Sequence, residues 1–242
     1  MKIEKLRDTI KGLGEVSVAF SGGVDSTLVS KIAYEVLGDK ATAVTVVSEF
    51  TGENDISGAI KTAEEIGIKH KIIKVKILDG EIKKNPENRC YLCKVKILSS
   101  IPGKNIIDGT NADDDEKRPG MRALREFGVY TPLKELGIGK WEIRQLAKEY
   151  GLSNHNKESN SCLATRIPFH SEITKDKLNK IEIAENALNE EKIYNIRARL
   201  VNDKFVFEIP AKYLKKYEDS TDKIKNRITK TNIKTIELRE RE

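Results

Sequence analysis

Through the first 150 residues, short runs of β-branched and small apolar residues alternate with longer stretches of helical spacing. This alternation limits the fold more than any other feature of the chain. Ile3, Leu6, Ile10 and Leu13 mark a helix over 1–13 that stops at Gly14, and Val16–Phe20 reads as a strand. A helix over Ser26–Leu37 ends at Gly38, and Ala41–Val47 follows as a buried strand. The same rule gives helix over 53–66, strand over 70–75, helix over 90–101 and a short strand at 106–108. A helix over 141–150 is closed by Gly151. Strands separated by helices cannot pair as hairpins, so they pair in parallel through crossovers, and the expected class is α/β.

Beyond that point the pattern changes. The polar stretch 153–161 has no clear period and is expected to be an ordered loop. The remainder reads as α+β: a helix over 174–190, strands near 195–201 and 204–209, a helix from Ala211, another near 222–227, and a last strand at 234–238. The chain of 242 residues is therefore expected to divide into a parallel-sheet domain over 1–168 and a smaller α+β domain over 169–242. No apolar run reaches the ~20 residues of a membrane span, and residues 1–11 have no signal-peptide core. A cytoplasmic protein with no membrane partner is expected. The net charge of +6 divides evenly, with 27 basic and 24 acidic residues up to Pro168 and 17 and 14 after it. No basic domain stands out, so nucleic acid is not an expected partner.

Ser21-Gly22-Gly23-Val24-Asp25-Ser26 lies directly between the first strand and its helix. In a parallel sheet this is where a helix start presents unpaired N–H groups and its positive dipole end to an anion. The glycines admit close approach, Ser21 and Ser26 add hydroxyl donors, and the carboxylate of Asp25 makes sense with Mg²⁺ bridging it to phosphates or as an orienter of the loop. A capped turn would also use serine and aspartate, but the whole hexapeptide in a strand–loop–helix setting favours phosphate. The sequence lacks the patterns of P-loop kinases and of dinucleotide-binding folds. The hexapeptide resembles the PP-loop, SGGxDS, of the ATP pyrophosphatase superfamily. That resemblance implies an adenine nucleotide alpha hydrolase-like domain that binds ATP and Mg²⁺, adenylates an oxygen and releases pyrophosphate. Ser48, after the second strand, and Gly109 and Thr110, after a later one, are expected to contact the nucleotide.

The chain has three cysteines, an odd number with no export signal, so thiol or metal chemistry is favoured over a disulfide framework. Cys90 and Cys93 share a helix face at i, i+3, and Cys162 lies in the polar loop before Arg166. The pair could be redox-active or simply packed, and His70, His155 and His170 are not spaced to complete a zinc site. Three thiolates without a fourth ligand suit a [4Fe–4S] cluster with one open iron. A competing route keeps Cys162 as a donor thiolate activated by Lys157 or Arg166.

The segments Asn88–Lys94, Asp108–Asp114, Arg118–Ala123, Thr131–Leu133 and Ser161–Pro168 together resemble the LarE family over about residues 15–170. Members are ATP-dependent sulfurtransferases that build the nickel-pincer nucleotide cofactor of lactate racemase. The resemblance implies that ATP adenylates a carboxylate of pyridinium-3,5-biscarboxylic acid mononucleotide and that sulfur then displaces AMP. Some members sacrifice the sulfur of a single cysteine at the position of Cys162. Having Cys90 and Cys93 as well, this chain is similar to members that hold a [4Fe–4S] cluster on three cysteines and transfer its extra sulfide, with Cys90, Cys93, Cys162 and Asp25 at the centre of catalysis.

An anionic mononucleotide needs cations, and Arg118, Arg122 and Arg166 lie in the resembling segments. Arg197 and Arg199 alternate on an expected strand, so both project from one face, and they look like the family's arginines for the substrate phosphate. Asp113 to Glu116 reads as a solvated acidic run, although Asp113 or Glu126 could assist with metal or in orientation. The alternatives to this reading are a tRNA thiolation enzyme with the same loop and a non-enzymatic ATP-binding iron–sulfur sensor. A homo-oligomer is expected from the resemblance, and the immediate sulfur donor is not indicated.

Overall fold

The structure is a computed structural model and describes residues 2–158 and 160–241. In chain order the elements are α1 (Lys2–Leu13), β1 (Val16–Ala19), α2 (Val24–Leu37), β2 (Ala41–Val47), α3 (Glu53–Ile66), β3 (Lys69–Lys74), α4 (Gly80–Lys83) and α5 (Arg89–Ser100). They continue with β4 (Ile106–Asp108), α6 (Pro119–Glu126), α7 (Pro132–Glu135), α8 (Lys140–Glu149), α9 (Lys175–Glu190), β5 (Arg197–Val201), β6 (Lys204–Pro210), α10 (Leu214–Ile228) and β7 (Ile236–Arg241). Two compact units result, one of residues 1–77 with 88–159 and one of 78–87 with 160–242.

The first unit is built on a parallel sheet of order β3-β2-β1-β4. Side chains alternate across a sheet, so neighbouring residues of one strand feed different cores. Val16, Val18, Ala41, Ala43 and Ile107 join Leu6, Ile10, Leu28, Ile32, Ile143 and Ala147 in one buried cluster against α1, α2 and α8. Val44 and Ile106, one position out of phase, join Leu98, Met121 and Leu124 in a second cluster against α5 and α6. The α/β class with helices on both faces is thus present.

The strand order also fixes where a ligand can sit. The chain leaves β1 through α2 towards β2 and β3, then returns to the other side of β1 as β4. The carboxyl ends of β1 and β4 therefore flank a topological switch point, where helices depart in opposite directions and leave a crevice.

The second unit pairs β5 and β6 as an antiparallel hairpin and β6 and β7 in parallel. Asn202 and Asp203, both at positive φ (48° and 57°), form its two-residue turn, a conformation that suits asparagine and aspartate. Ala198 and Leu200 of β5 face inward with Phe205 and Phe207, against Leu178, Ile181 and Ala184 of α9. Arg197 and Arg199 occupy the opposite face, as their alternation requires.

Two helices expected from Ala211 and over 222–227 are one continuous helix, α10, entered through a 3₁₀ turn at 211–213. Tyr217, Ser220, Ile224 and Ile228 make a single buried stripe, and no glycine or proline interrupts it. The last strand begins two residues later than expected and runs to Arg241. Within the polar stretch 153–161, Ser159 lies outside the described residues. Among the described residues no helix is long and apolar enough to cross a membrane.

Candidate active site

The hexapeptide at 21–26 occupies the switch point in the first unit. Gly22 has φ of +68°, and a Cβ there would stand 2.8 Å from the backbone of Ala59, so only glycine fits. Gly23 is the N-cap of α2 and provides no side-chain cap, which leaves the first N–H groups of that helix for a ligand. Ser26 Oγ donates to Gly23 O at 3.1 Å and accepts from Ser21 N at 3.3 Å, and Gly23 N donates to Ser21 Oγ at 3.3 Å. The two serines thus hold the loop open around a core of its own hydrogen bonds.

Gly109, directly after β4, closes the cradle from the other side. A Cβ on Gly109 would lie 2.7 Å from Ser26 N, a contact that no side-chain rotation could relax because the atoms it meets are backbone. The Gly109→Ala variant is expected to lose about 1–3 kcal/mol of stability through overpacking and to displace the start of α2. A chemical denaturation midpoint and an ATP titration check this; unchanged ATP affinity would sink the displacement. Asp108 and Thr110 flank this glycine. Burial alone would push the Asp108 carboxyl up, but the Lys94 ammonium at 2.8 Å and the N–H and hydroxyl of Thr110 hold it below the ordinary carboxylate range.

Asp25 lies in the first turn of α2. Its Oδ2 accepts from the Lys140 ammonium at 2.5 Å, and its Oδ1 is buried without a hydrogen-bond partner among the described residues. Burial raises its pKa against the opposing pull of Lys140. A buried carboxylate oxygen left unsatisfied beside an anion cradle is suited to a divalent cation, so Asp25 and the loop fit Mg²⁺ with a polyphosphate.

Several partners of the loop escape sequence reasoning. Asp113 Oδ2 accepts the N–H of Lys140 at 2.6 Å and so caps α8, which places Lys140 at the loop. Asn154 donates to Gly22 O at 3.1 Å and to Thr27 Oγ1 at 2.9 Å, and Arg144 holds His155 O and Lys157 O at 3.0 Å each. The start of the polar loop is thereby ordered against the phosphate loop. Ser48 caps its own turn, receiving Phe50 N at 3.2 Å, and lines a shallow pocket with Val47, Glu49, Lys74, Val75 and Lys76.

Cys90 and Cys93 lie on α5, Cys90 exposed and Cys93 buried, and the Arg89 guanidinium is 3.5 Å from Cys90 Sγ. Arg118 and Arg122 belong to the surface of this unit. Arg118 pairs with Asp114 at 2.6 Å; Arg122 pairs with Glu126 at 2.7 Å and stacks on Tyr91, whose hydroxyl donates to Glu126. Ser21, Gly22, Gly23, Asp25, Ser26 and Gly109 are brought together, and Thr110 follows Gly109 with its N–H and hydroxyl on Asp108; Arg118 and Arg122 make their contacts with Asp114, Glu126 and Tyr91 outside that cradle.

The second unit carries the remaining candidates. Exposed Cys162 is the N-cap of a 3₁₀ turn over Leu163–Arg166. The Arg166 side chain is 1% exposed, and all its donors are engaged: with Glu185 at 2.7 and 3.3 Å, with Ser161 O and Oγ, with Thr165 Oγ1 and with Asn160 Oδ1. Arg166 therefore shapes the Cys162 loop from inside the unit and has no donor left for a phosphate. Arg199 pairs with Glu208 and donates to Thr165 O at 3.1 Å. Arg197 differs. Among the described residues its side chain has no hydrogen-bond or ion-pair partner, and burial followed by the charges of Arg241, Arg166 and Arg199 lowers its pKa against the weaker opposing pull of Glu208. An under-compensated group of guanidiniums of this kind favours an anion.

Comparison with known proteins gives the family. The sequence model of the NAD synthase family matches residues 3–91, the segment that contains the phosphate loop. The pyridinium-3,5-bisthiocarboxylic acid mononucleotide synthase of Lactiplantibacillus plantarum is 32% identical over 95% of this chain and 87% of its own length. The chain belongs to the LarE family. It is an ATP-using sulfurtransferase of the PP-loop type. Uncharacterized proteins of Synechocystis and of Methanocaldococcus jannaschii are also similar, at 37% identity over 89% of this chain and 84% of the relative, and at 34% over 93% and 87%.

Proposed function

We propose that the protein adenylates a carboxylate of pyridinium-3,5-biscarboxylic acid mononucleotide and replaces the AMP with sulfur, in the synthesis of the nickel-pincer nucleotide cofactor. The observation that carries this reading is the cradle of Gly22, Gly23, Gly109 and Asp25 in a chain aligned over nearly its whole length with a synthase of the corresponding bisthiocarboxylic acid. A carboxylate oxygen of the substrate attacks the α-phosphorus of ATP, the bond from that phosphorus to the bridging oxygen breaks, and pyrophosphate leaves. A sulfur nucleophile then adds to the acyl carbon and expels AMP, leaving a thiocarboxylate.

In this sequence of steps the loop N–H groups and the α2 dipole hold the leaving pyrophosphate, and Ser21 and Ser26 keep the loop in shape. Mg²⁺, held through Asp25, would offset the charge that builds on the departing oxygens. Gly109 and Thr110 set the depth at which the nucleotide stops. Ser48 and the pocket around it suit the adenosine end. Arg197 and Arg199 receive the phosphate of the mononucleotide, Arg118 and Arg122 provide further positive charge, and Arg166 positions Cys162.

For the sulfur, the reading takes Cys90, Cys93 and Cys162 as ligands of a [4Fe–4S] cluster. All three are thiols, and three thiolates leave one iron open for a sulfide. Among the described residues no three His, Cys, Asp or Glu side chains gather into a metal site, so the cluster rests on the donor chemistry and not on a formed cage. Protein purified without oxygen is expected to show the broad visible absorbance of an iron–sulfur cluster, and changing any one of the three cysteines to alanine is expected to abolish it. Iron-free, colourless anaerobic protein would rule the cluster out.

The reaction itself is tested by pyrophosphate release from ATP and Mg²⁺. Release that depends on the pyridinium biscarboxylate is the expected result, and a rate unaffected by adding it would overturn the substrate assignment.

A further inference from the structure

Lys140 is the first residue of α8, and its ammonium is the only described group that pairs with Asp25, through Oδ2 at 2.5 Å. The other carboxylate oxygen, Oδ1, is buried and unpartnered among the described residues. The position of the lysine is built in. Asp113 caps the helix by accepting Lys140 N–H at 2.6 Å, and a Cβ on Gly139 would approach the Asp113 carboxylate to 2.9 Å, so a side chain there would push the cap aside. A carboxylate next to a phosphate loop therefore has one oxygen on a cation and one oxygen buried without a partner among the described residues.

We infer that Lys140 is the resident counter-ion of the phosphate loop before nucleotide binds, exchanging Asp25 for the nucleotide's polyphosphate when ATP arrives with its divalent cation. The inference deepens the assignment of the loop as an ATP site and rests on it. An ammonium on a four-carbon stem has three donors and no fixed plane, so it can change partners without moving the backbone of α8. While it stays on Asp25, a divalent cation arriving alone must compete with it for the same carboxylate and is repelled by its charge. A cation arriving with polyphosphate meets no such cost, because the ammonium gains an anion as it gives up Asp25. Lys140 thereby couples cation binding to anion binding and acts as a positioning residue for the departing pyrophosphate.

The test uses the full-length protein, Mn²⁺ followed by paramagnetic resonance, and calorimetric titration of pyrophosphate in Mg²⁺. In Lys140→Met, Mn²⁺ alone is expected to bind about 10-fold more tightly than in the unaltered protein, and pyrophosphate with Mg²⁺ about 10-fold more weakly. Lys140→Gln repeats the measurement with a polar neutral side chain in case the methionine disturbs folding, and Lys140→Arg is expected to restore much of the coupling. Failure of the unaltered protein to bind pyrophosphate with Mg²⁺ would reject the ATP-site reading itself. Normal binding by the unaltered protein, with both neutral variants unchanged within about twofold, would overturn the role of Lys140 alone.

Discussion

Arg166→Ala is expected to destabilise the second unit by about 3–5 kcal/mol, because it leaves Glu185 buried without its counter-ion. The arginine is almost fully enclosed and ties residues 160, 161 and 165 to α9, so the loss also releases the segment that holds Cys162. Glu185 is additionally the acceptor for Ala198 N at 3.1 Å, which connects the ion pair to β5. For a unit of this size the thermal midpoint should fall by roughly 15 °C. The double variant Arg166→Met with Glu185→Leu removes both charges and is expected to recover much of the loss. A midpoint for Arg166→Ala within about 3 °C of the unaltered protein would mean that the pair contributes nothing to folding.

Asp25→Ala is expected to reduce pyrophosphate release by about 10²–10³-fold while leaving the thermal midpoint level or higher. The two halves of this expectation have one cause. Burial holds the Asp25 carboxyl above its ordinary range even though Lys140 pulls the other way, so the carboxylate costs stability where it sits. With the folded-state pKa above the unfolded one, the penalty is absent below the unfolded pKa and grows as pH rises through the folded value. Asp25→Asn should remove that pH-dependent part, giving a flatter stability profile across the acidic range. Normal pyrophosphate release in Asp25→Ala would remove this residue from catalysis, and a large fall in midpoint would make it structural.

Much of the first unit was legible because parallel βαβ units write their signature locally. Ala41–Val47, Glu53–Ile66 and Ile106–Asp108 are the elements expected from β-branched runs, helical spacing and glycine stops. Helix α6 was less visible: Pro119 opens it, but eight residues bearing four charges or glycine carry little periodicity, and its buried Met121, Ala123 and Leu124 make sense only against β4 and α5. The insertion of residues 78–87 into the second unit gave no composition signal. It is made by contacts such as Asn85 Nδ2 donating to Ile167 O and Pro168 O. The fusion of α10 came from the stripe Tyr217, Ser220, Ile224 and Ile228, which polar residues 218–222 hide in the linear pattern.

For the site, the division is the same. The sequence by itself determined the phosphate loop, its place after the first strand, the i, i+3 pair Cys90 and Cys93, and the shared face of Arg197 and Arg199, since each depends on residues close together in the chain. Only the tertiary structure decided which charges are spent and which are available. Lys140 lies 115 residues from Asp25, and Glu185 lies 19 from Arg166, yet each pair is in direct contact. Arg166 and Arg197 look alike in sequence, but the guanidinium of one is saturated by Glu185 and the 160–165 segment, and the side chain of the other has no hydrogen-bond or ion-pair partner among the described residues. The reason is physical. Hydrogen-bond periodicity and backbone preference act over a few residues, whereas the partner of a charge is chosen by whatever packing brings within about 3 Å of it.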